Sequence, residues 1–478
     1  MKILVLNPPY GKDFCRSARW AARSRGRVQR HPDWLLIATA VLEREGHHVR
    51  FIDGAALNLT CNGVDKEFRE FRPELTVIHT TTPSIYNDIS YARLAKDSGS
   101  RAILIGPHVS AEPEDTLRRA PFVDGLVIGE YDYVLRDIAD GRDIRGIKGV
   151  AFIEDGVIRI NPPAEPINVE ELPFPAWHHI RPEWYRDAGK RFPFLTLISG
   201  RGCSGRCTFC RDTSVMYGRR LRLRRAEQVV DEIEYDYKLF PYIKEIMFET
   251  DTFTASPHHV RSVCEEILKR GLKVTWSCNV RVDMDLSLLP LMKRAGCRML
   301  MVGYEFGTQE ALDAVKKGIT LEQSRRFTEE AKRHGFIIHG CFMVGAPGET
   351  RESVRKTIEF AKSLPLDTLQ FSGICPYPGT ELYKWAKENN YLVARDWTEW
   401  VSKNLEQVTL LDYPQLSKKE MDELIDRGLK EFYLRPSQII RMLWNMKSPQ
   451  DLKRKLYGLK SFVDYFLKSR RCHESTPH

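Results

Sequence analysis

The chain has 478 residues, with 73 Lys and Arg against 64 Asp and Glu, a formal net charge of +9, and 42% apolar and 29% charged residues. This balance belongs to a globular protein of roughly two to four domains rather than to a disordered chain. No apolar run reaches the length of about eighteen residues needed to span a membrane, and the first apolar run stops at a Pro-Pro pair, too short for a signal peptide. The expected compartment is the reducing cytoplasm, where eleven cysteines are better suited to metal binding or catalysis than to a disulfide framework.

In chain order, short apolar strands alternate with helical segments from residue 1 to about 145. The strands are KILVLN, HVRFID, LTVIHT, AILIG and GLVIG. WLLIATAVLEREG and YNDISYARLAKDSG, each ending in Gly, have helical spacing. Such alternation predicts a parallel sheet covered on both faces, with ligands beyond the carboxyl ends of its strands. Those ends read NPPYG, IDGAA, TTTPS, GPHVS and GEYDY. After the first strand, residues 11–30 carry seven Lys or Arg and one Asp. Two readings are open: a solvated, arginine-rich helix, or a lid that meets an anionic group.

Residues 146–190 contain a predicted hairpin, GVAFIEDGVIRINPP, and a proline-rich linker. From 191 to about 400 a second alternation begins at FLTLISG and continues through IKEIMFE, KVTWSCNV, RMLMVGYEFG, FIIHGCFMVG and DTLQFSG. Six such units predict a partial β/α barrel with its site at the C-terminal face. Residues 401–478 read as helical. Over 435–471 they hold ten Lys or Arg and two Asp, predicting helices packed on the barrel or, alternatively, contact with a membrane surface or lipid substrate. Nucleic-acid binding is disfavoured, because no RNA-binding module accompanies the charge.

Cys203, Cys207 and Cys210 form a C-x3-C-x2-C loop after FLTLISG. Chance clustering is one reading. Structural zinc, with His178 or His179 supplying a ligand, is another, although no second cysteine pair follows. The third is an iron–sulfur cluster in which three thiolates leave one iron open.

At this point the chain resembles the radical S-adenosylmethionine (SAM) enzymes. The resemblance implies a [4Fe–4S] cluster on Cys203, Cys207 and Cys210 whose open iron binds SAM, and reductive cleavage of SAM to a 5′-deoxyadenosyl radical. It also implies SAM contacts from Phe209, from Glu249 or Asp251 in FETDTFT, from Arg281, from Glu305 in GYEFGTQ, and from Gly345 or Gly348 in FMVGAPGET. Related chains often carry two adjacent Asp where this one has Thr250 and Asp251.

The N-terminal sheet resembles the cobalamin-binding class through residues 71–117 and 123–135. That implies cobalamin contacts from Asp53, Thr81, Thr82, Ser84, Gly106, His108, Gly129 and Glu130; as a lone loop histidine, His108 is equally expected to face solvent. DGAALNL has no histidine two positions after Asp53, so a D-x-H lower cobalt ligand is not expected. A vestigial or nucleotide-binding sheet is the alternative for this half.

The FYLRP junction at residues 432–436 also resembles the branch that contains the anaerobic magnesium-protoporphyrin ester cyclase. Most of the chemistry implied for such two-domain chains is methyl transfer. The expected function is therefore methylation of an unactivated carbon of a small-molecule or lipid substrate, with an anionic substrate group among the expectations, served by an electron donor such as flavodoxin or ferredoxin. The alternatives are a radical oxidative cyclase and, in another class, a non-catalytic corrin-binding or sensing module.

Overall fold

The computed structural model describes residues 1–444 together with Leu456 and Gly458. Its first sheet contains β1 (Lys2–Asn7), β2 (His48–Asp53), β3 (Leu75–His79), β4 (Arg101–Ile105), β5 (Gly125–Val127), β6 (Val150–Glu154) and β7 (Val157–Ile160), in the order β2-β1-β3-β4-β5-β6-β7. The first five strands are parallel, and the hairpin β6–β7 adds to β5 antiparallel. The order 2-1-3-4-5 is that of doubly wound sheets.

Each buried strand serves two cores, as alternate side chains must. Ile3 and Val5 of β1 face one core with Val77 and Ile103, whereas Leu4 and Leu6 face another with Phe68, Phe71 and Leu104. The first of these cores runs on, through Trp177 and Tyr185, into the second half of the chain.

There β8 (Phe194–Leu197) starts a second sheet. The two-residue strands β9 (Gly200–Arg201) and β10 (Arg222–Leu223) pair antiparallel beside it. Five further strands follow: β11 (Glu245–Phe248), β12 (Trp276–Val280), β13 (Cys297–Glu305), β14 (Ile337–Val344) and β15 (Thr368–Gly373). The order β15-β14-β13-β12-β11-β8 is parallel throughout, a six-stranded open barrel. Helices Glu381–Glu388, Lys418–Tyr433 and Pro436–Trp444 follow. No helix among the described residues is long and apolar enough to cross a membrane. The rest of the basic tail lies outside the described residues.

The two sheets are joined by paired charges. Arg201 makes a bidentate bond to Asp132 at 2.6 and 3.0 Å, with both side chains almost fully buried. Its guanidinium lies 4.9 Å from the Trp34 ring and 5.6 Å from the Tyr217 ring. Arg222, the register partner of Arg201, bonds Glu130, which also accepts from the Ile167 amide. One turn of the first sheet thus grips both strands of β9–β10. Breaking one partner of such a pair leaves an uncompensated buried charge, so Arg201→Met should cost about 3–5 kcal/mol. The double variant Arg201→Met/Asp132→Leu should recover most of that loss, as read from urea midpoints by tryptophan fluorescence.

Candidate functional site

Burial along β14 alternates. Ile338, Gly340, Phe342 and Val344 are buried, while Ile337, His339, Cys341 and Met343 are half-buried. The interior of a closed β/α barrel is filled with side chains. Here the inward set stays accessible, and the lumen is polar. Lys190 bonds Ser277 at 3.2 Å, and His339 bonds Thr368 at 2.8 Å. Burial, with the charges of Lys190 and Arg30 adding to it and that of Asp187 opposing, holds the His339 imidazole down at about 4. Burial pushes the Cys341 thiol up to about 12, with Glu305 adding to the effect.

The three cysteines lie on the loop leaving β9. Gly202 (φ +81°) turns it where a Cβ would sit 2.3 Å from the Arg220 carbonyl, so only glycine fits. The Thr208 amide bonds the Val315 carbonyl, and the Leu382 amide bonds the Thr208 carbonyl, each at 3.0 Å. A Cβ on Gly205 would lie 3.4 Å from Cys203 Sγ, 3.6 Å from Arg281 Nη1 and 4.0 Å from Cys207 Sγ. The glycine therefore keeps open a cradle lined by two sulfurs and a cation, which suits three-thiolate ligation of an anionic iron–sulfur cluster. Cys210 follows one turn on, its amide bonded to the Cys207 carbonyl. Its thiol is raised by burial and by Asp212, and lowered by Arg19. Phe209 packs against the core.

The other strand ends face this loop. Thr250 is fully buried, and its hydroxyl accepts from the Ser199 amide at 2.9 Å. It thereby clamps the turn after β8, which leaves Glu249 and Asp251 as the carboxylates available to a ligand. Glu249 bonds Arg30 at 2.5 Å. Asp251 stands 3.8 Å from Arg19, and burial and the nearby Asp212 raise it to about 6. Thr252 Oγ1 lies 3.5 Å from Cys203 Sγ.

Arg281 bonds Asp283 and the Lys317 carbonyl. Glu305, at φ 63°, bonds Lys317 at 2.6 Å. A Cβ at Gly303 would fall 2.5 Å from Glu305 Oε1 and 3.0 Å from Lys317 Nζ, so the glycine leaves room for this ion pair. Gly345 (φ +105°) faces Met421 and Ile374, whereas the side of Gly348 is open. Sequence reasoning missed Glu349, which accepts from the Gly345 and Ala346 amides at 2.6 and 2.8 Å and fixes this turn.

At the first sheet, Asp53 is fully engaged by Asn7, the Ala56 amide and Tyr185. Thr81 and Ser84 join a buried network with Asp88 and Arg16. Gly106 (φ +108°) permits an approach to Thr80 and His79 that a Cβ would block at 2.7–2.8 Å. The Gly129 amide bonds Ser110, and Glu130 is held by Arg222 as described above.

His108 does not face solvent. It is fully buried, bonds Thr82 at 3.2 Å and packs edge-on to Trp397, and burial lowers its imidazole to about 3. Its Nε2, His79 Nδ1 and Asn7 Oδ1 are buried without partners among the described residues, at the ends of β4, β3 and β1. A ligand with an amide-rich rim, as cobalamin has, would satisfy these atoms.

Residues 11–30 form no helix, so the solvated-helix reading is corrected. Phe14, Arg16 and Trp20 are buried. The arginines here reach out individually: Arg16 to Asp88, Arg19 to Asp251 and Asp212, Arg25 to the Phe371 carbonyl, Arg27 to Glu406 and Arg30 to Glu249. The segment bridges the strand ends of both sheets, because buried or half-buried guanidiniums need partners and the two sets of strand ends supply them. His178 and His179, weighed above as zinc ligands beside the cysteines, instead meet Glu43.

Residues 197–361 match the radical SAM superfamily model. The chain is 33% identical to the uncharacterized methyltransferase PH0819 of Pyrococcus horikoshii, over 92% of this chain and 94% of the relative. The chain belongs to the radical SAM superfamily. The family's cofactors are a [4Fe–4S] cluster and SAM. The chain is also 27% identical to the anaerobic magnesium-protoporphyrin IX monomethyl ester cyclase of Rubrivivax gelatinosus, over 80% of this chain and 70% of that one. Among solved structures it shares its fold with the radical SAM methyltransferase TsrM of Kitasatospora setae, determined with cobalamin and a [4Fe–4S] cluster bound. The TM-score is 0.70 at 16% identity, covering 97% of this chain and 99% of that one.

Burial raises Glu349 from 4.5 to about 7. Between those values the folded state keeps a proton that the unfolded state has lost, so stability falls as pH rises through this window. The contribution is roughly 3 kcal/mol. Chemical denaturation at pH 5 and pH 7.5 should show this loss in the native chain and a flatter response in Glu349→Gln.

Proposed function

We propose that the chain is a cobalamin-dependent radical SAM methyltransferase that acts on an unactivated carbon of a small molecule held in the barrel lumen. The observation that carries this reading is convergence: the cysteine loop, the open polar lumen and the unpartnered polar atoms at the strand ends of the first sheet meet around residues 11–30. Identity to a methyltransferase over nearly the whole chain supports methyl transfer.

Bound here, the cluster would supply the electron for SAM cleavage and cobalamin the methyl carrier. The chain's own part is to bind and orient. Cys203, Cys207 and Cys210 ligate the cluster, with Phe209 packed behind them. Glu249 or Asp251 takes the methionine ammonium, Arg281 its carboxylate, Glu305 the ribose, and the Gly345–Gly348 turn the adenine. Asp53, Thr81, Thr82, Ser84, Gly106, His108, Gly129 and Glu130 shape the corrin side, several of them through the protein contacts described above. Arg19 and Arg30 favour an anionic substrate group at the lumen mouth. Flavodoxin or ferredoxin is the electron donor, and the compartment is cytoplasmic.

The cyclase reading rests on the Rubrivivax relative, and incubation with deuteromethyl SAM separates the two. Methyl transfer predicts labelled methyl in the product together with 5′-deoxyadenosine, whereas cyclisation predicts 5′-deoxyadenosine without label. Cys207→Ser should lose the cluster and lower 5′-deoxyadenosine formation by at least about a thousandfold, since the open-iron site needs all three thiolates.

A further inference from the structure

In the linker upstream of the cysteine loop, two adjacent histidines meet a glutamate of the first domain. His178 Nε2 and His179 Nε2 lie 3.0 and 2.7 Å from the same oxygen, Glu43 Oε1. The three ligand atoms all fall within 4.8 Å of one another. The two imidazole centroids lie 4.3 Å apart with the rings tilted by 38°, and each ring directs its Nε2 at the same carboxylate oxygen.

The arrangement is held by the fold rather than by the charges alone. Trp177 is fully buried, and the Ala176 amide bonds the Leu36 carbonyl at 3.1 Å, so the turn Trp177–His179 is docked on helix Asp33–Arg44, which carries Glu43. Metal–ligand bonds of about 2.0–2.1 Å put tetrahedral ligands about 3.3 Å apart. An ion would therefore enter with an outward movement of a few tenths of an ångström. His178 is half exposed, and an open cleft of about 620 Å³ adjoins the pair, lined by Arg181, Trp184, Phe240 and Tyr242. Water or a small ligand can thus reach the remaining coordination positions.

We propose that Glu43, His178 and His179 form a second metal site that takes a zinc-class divalent ion and clamps the linker to the first domain. Two imidazoles and one carboxylate are a borderline donor set, suited to Zn2+, Co2+ or Ni2+ and poorly suited to Mg2+ or Ca2+. The ion takes no part in the radical chemistry. Its expected effect is to stiffen the passage from the first sheet to β8.

The test uses the full chain with its iron–sulfur cluster reconstituted, so that the cysteines are already occupied. Equilibrium dialysis against micromolar zinc, with zinc and iron measured together, should give about one more equivalent of zinc in the native chain than in His178→Ala/His179→Ala or in Glu43→Gln. Iron content and SAM cleavage should be equal in all three, and zinc should raise the melting temperature of the native chain alone. Equal zinc in native and variant chains, or none retained by the native chain, overturns the proposal. Loss of SAM cleavage in the native chain would bear on the proposed function and leave the zinc comparison readable.

Discussion

The geometry of the site depends on one buried ion pair, Arg201 with Asp132. Arg201 stands two residues before Cys203, and Asp132, within the GEYDY stretch of the first sheet, is the first residue of the helix Asp132–Ala139. Removing two charges from water is expensive, and their attraction repays it only with good geometry and additional contacts. Here the contacts are a bidentate bond and two aromatic faces. Glu130, two residues earlier, holds Arg222 on the strand opposite. The turn therefore fixes the cysteine loop in position relative to the strand ends of the first sheet, which is the constraint a reaction shared between two cofactors imposes.

Residues 11–30 complete that junction. Their arginines bind carboxylates and carbonyls from both sheets, including the two carboxylates of FETDTFT. Held by Arg30 and Arg19, Glu249 and Asp251 sit in a field that responds to whatever enters the lumen. A cationic ligand group must compete with the arginines, while an anionic one can recruit them.

Much of the fold was legible because apolar strands buried on two faces carry a strong local signal. All eleven parallel strands fall within a residue or a few of the segments read from sequence, and the hairpin appears where its glycine turn predicts. The cysteine loop was legible for a similar reason, since three close thiols after a strand have few structural uses. What was not legible depends on distant partners. The sequence of residues 11–30 reads equally as a solvated, arginine-rich helix or as a lid until the carboxylates that neutralise it are brought alongside from as far away as Glu406. His108 reads as a loop residue until Trp397 covers it. The substitution of Thr250 for an acidic residue gains a reason only when Ser199 is seen to need its hydroxyl. Glu349 carried a visible signal, a carboxylate four residues after a strand-end glycine, but its role is set by two amides that only the folded turn presents.

The central claim is that one chain holds an iron–sulfur cluster and a corrin at facing strand ends. Quantitation of iron, sulfide and corrin in the anaerobically purified chain tests it most directly. The account predicts a full [4Fe–4S] complement and one corrin per chain, with iron lost and corrin retained when the three cluster cysteines are replaced. A chain that assembles its cluster but takes up no corrin would contradict it.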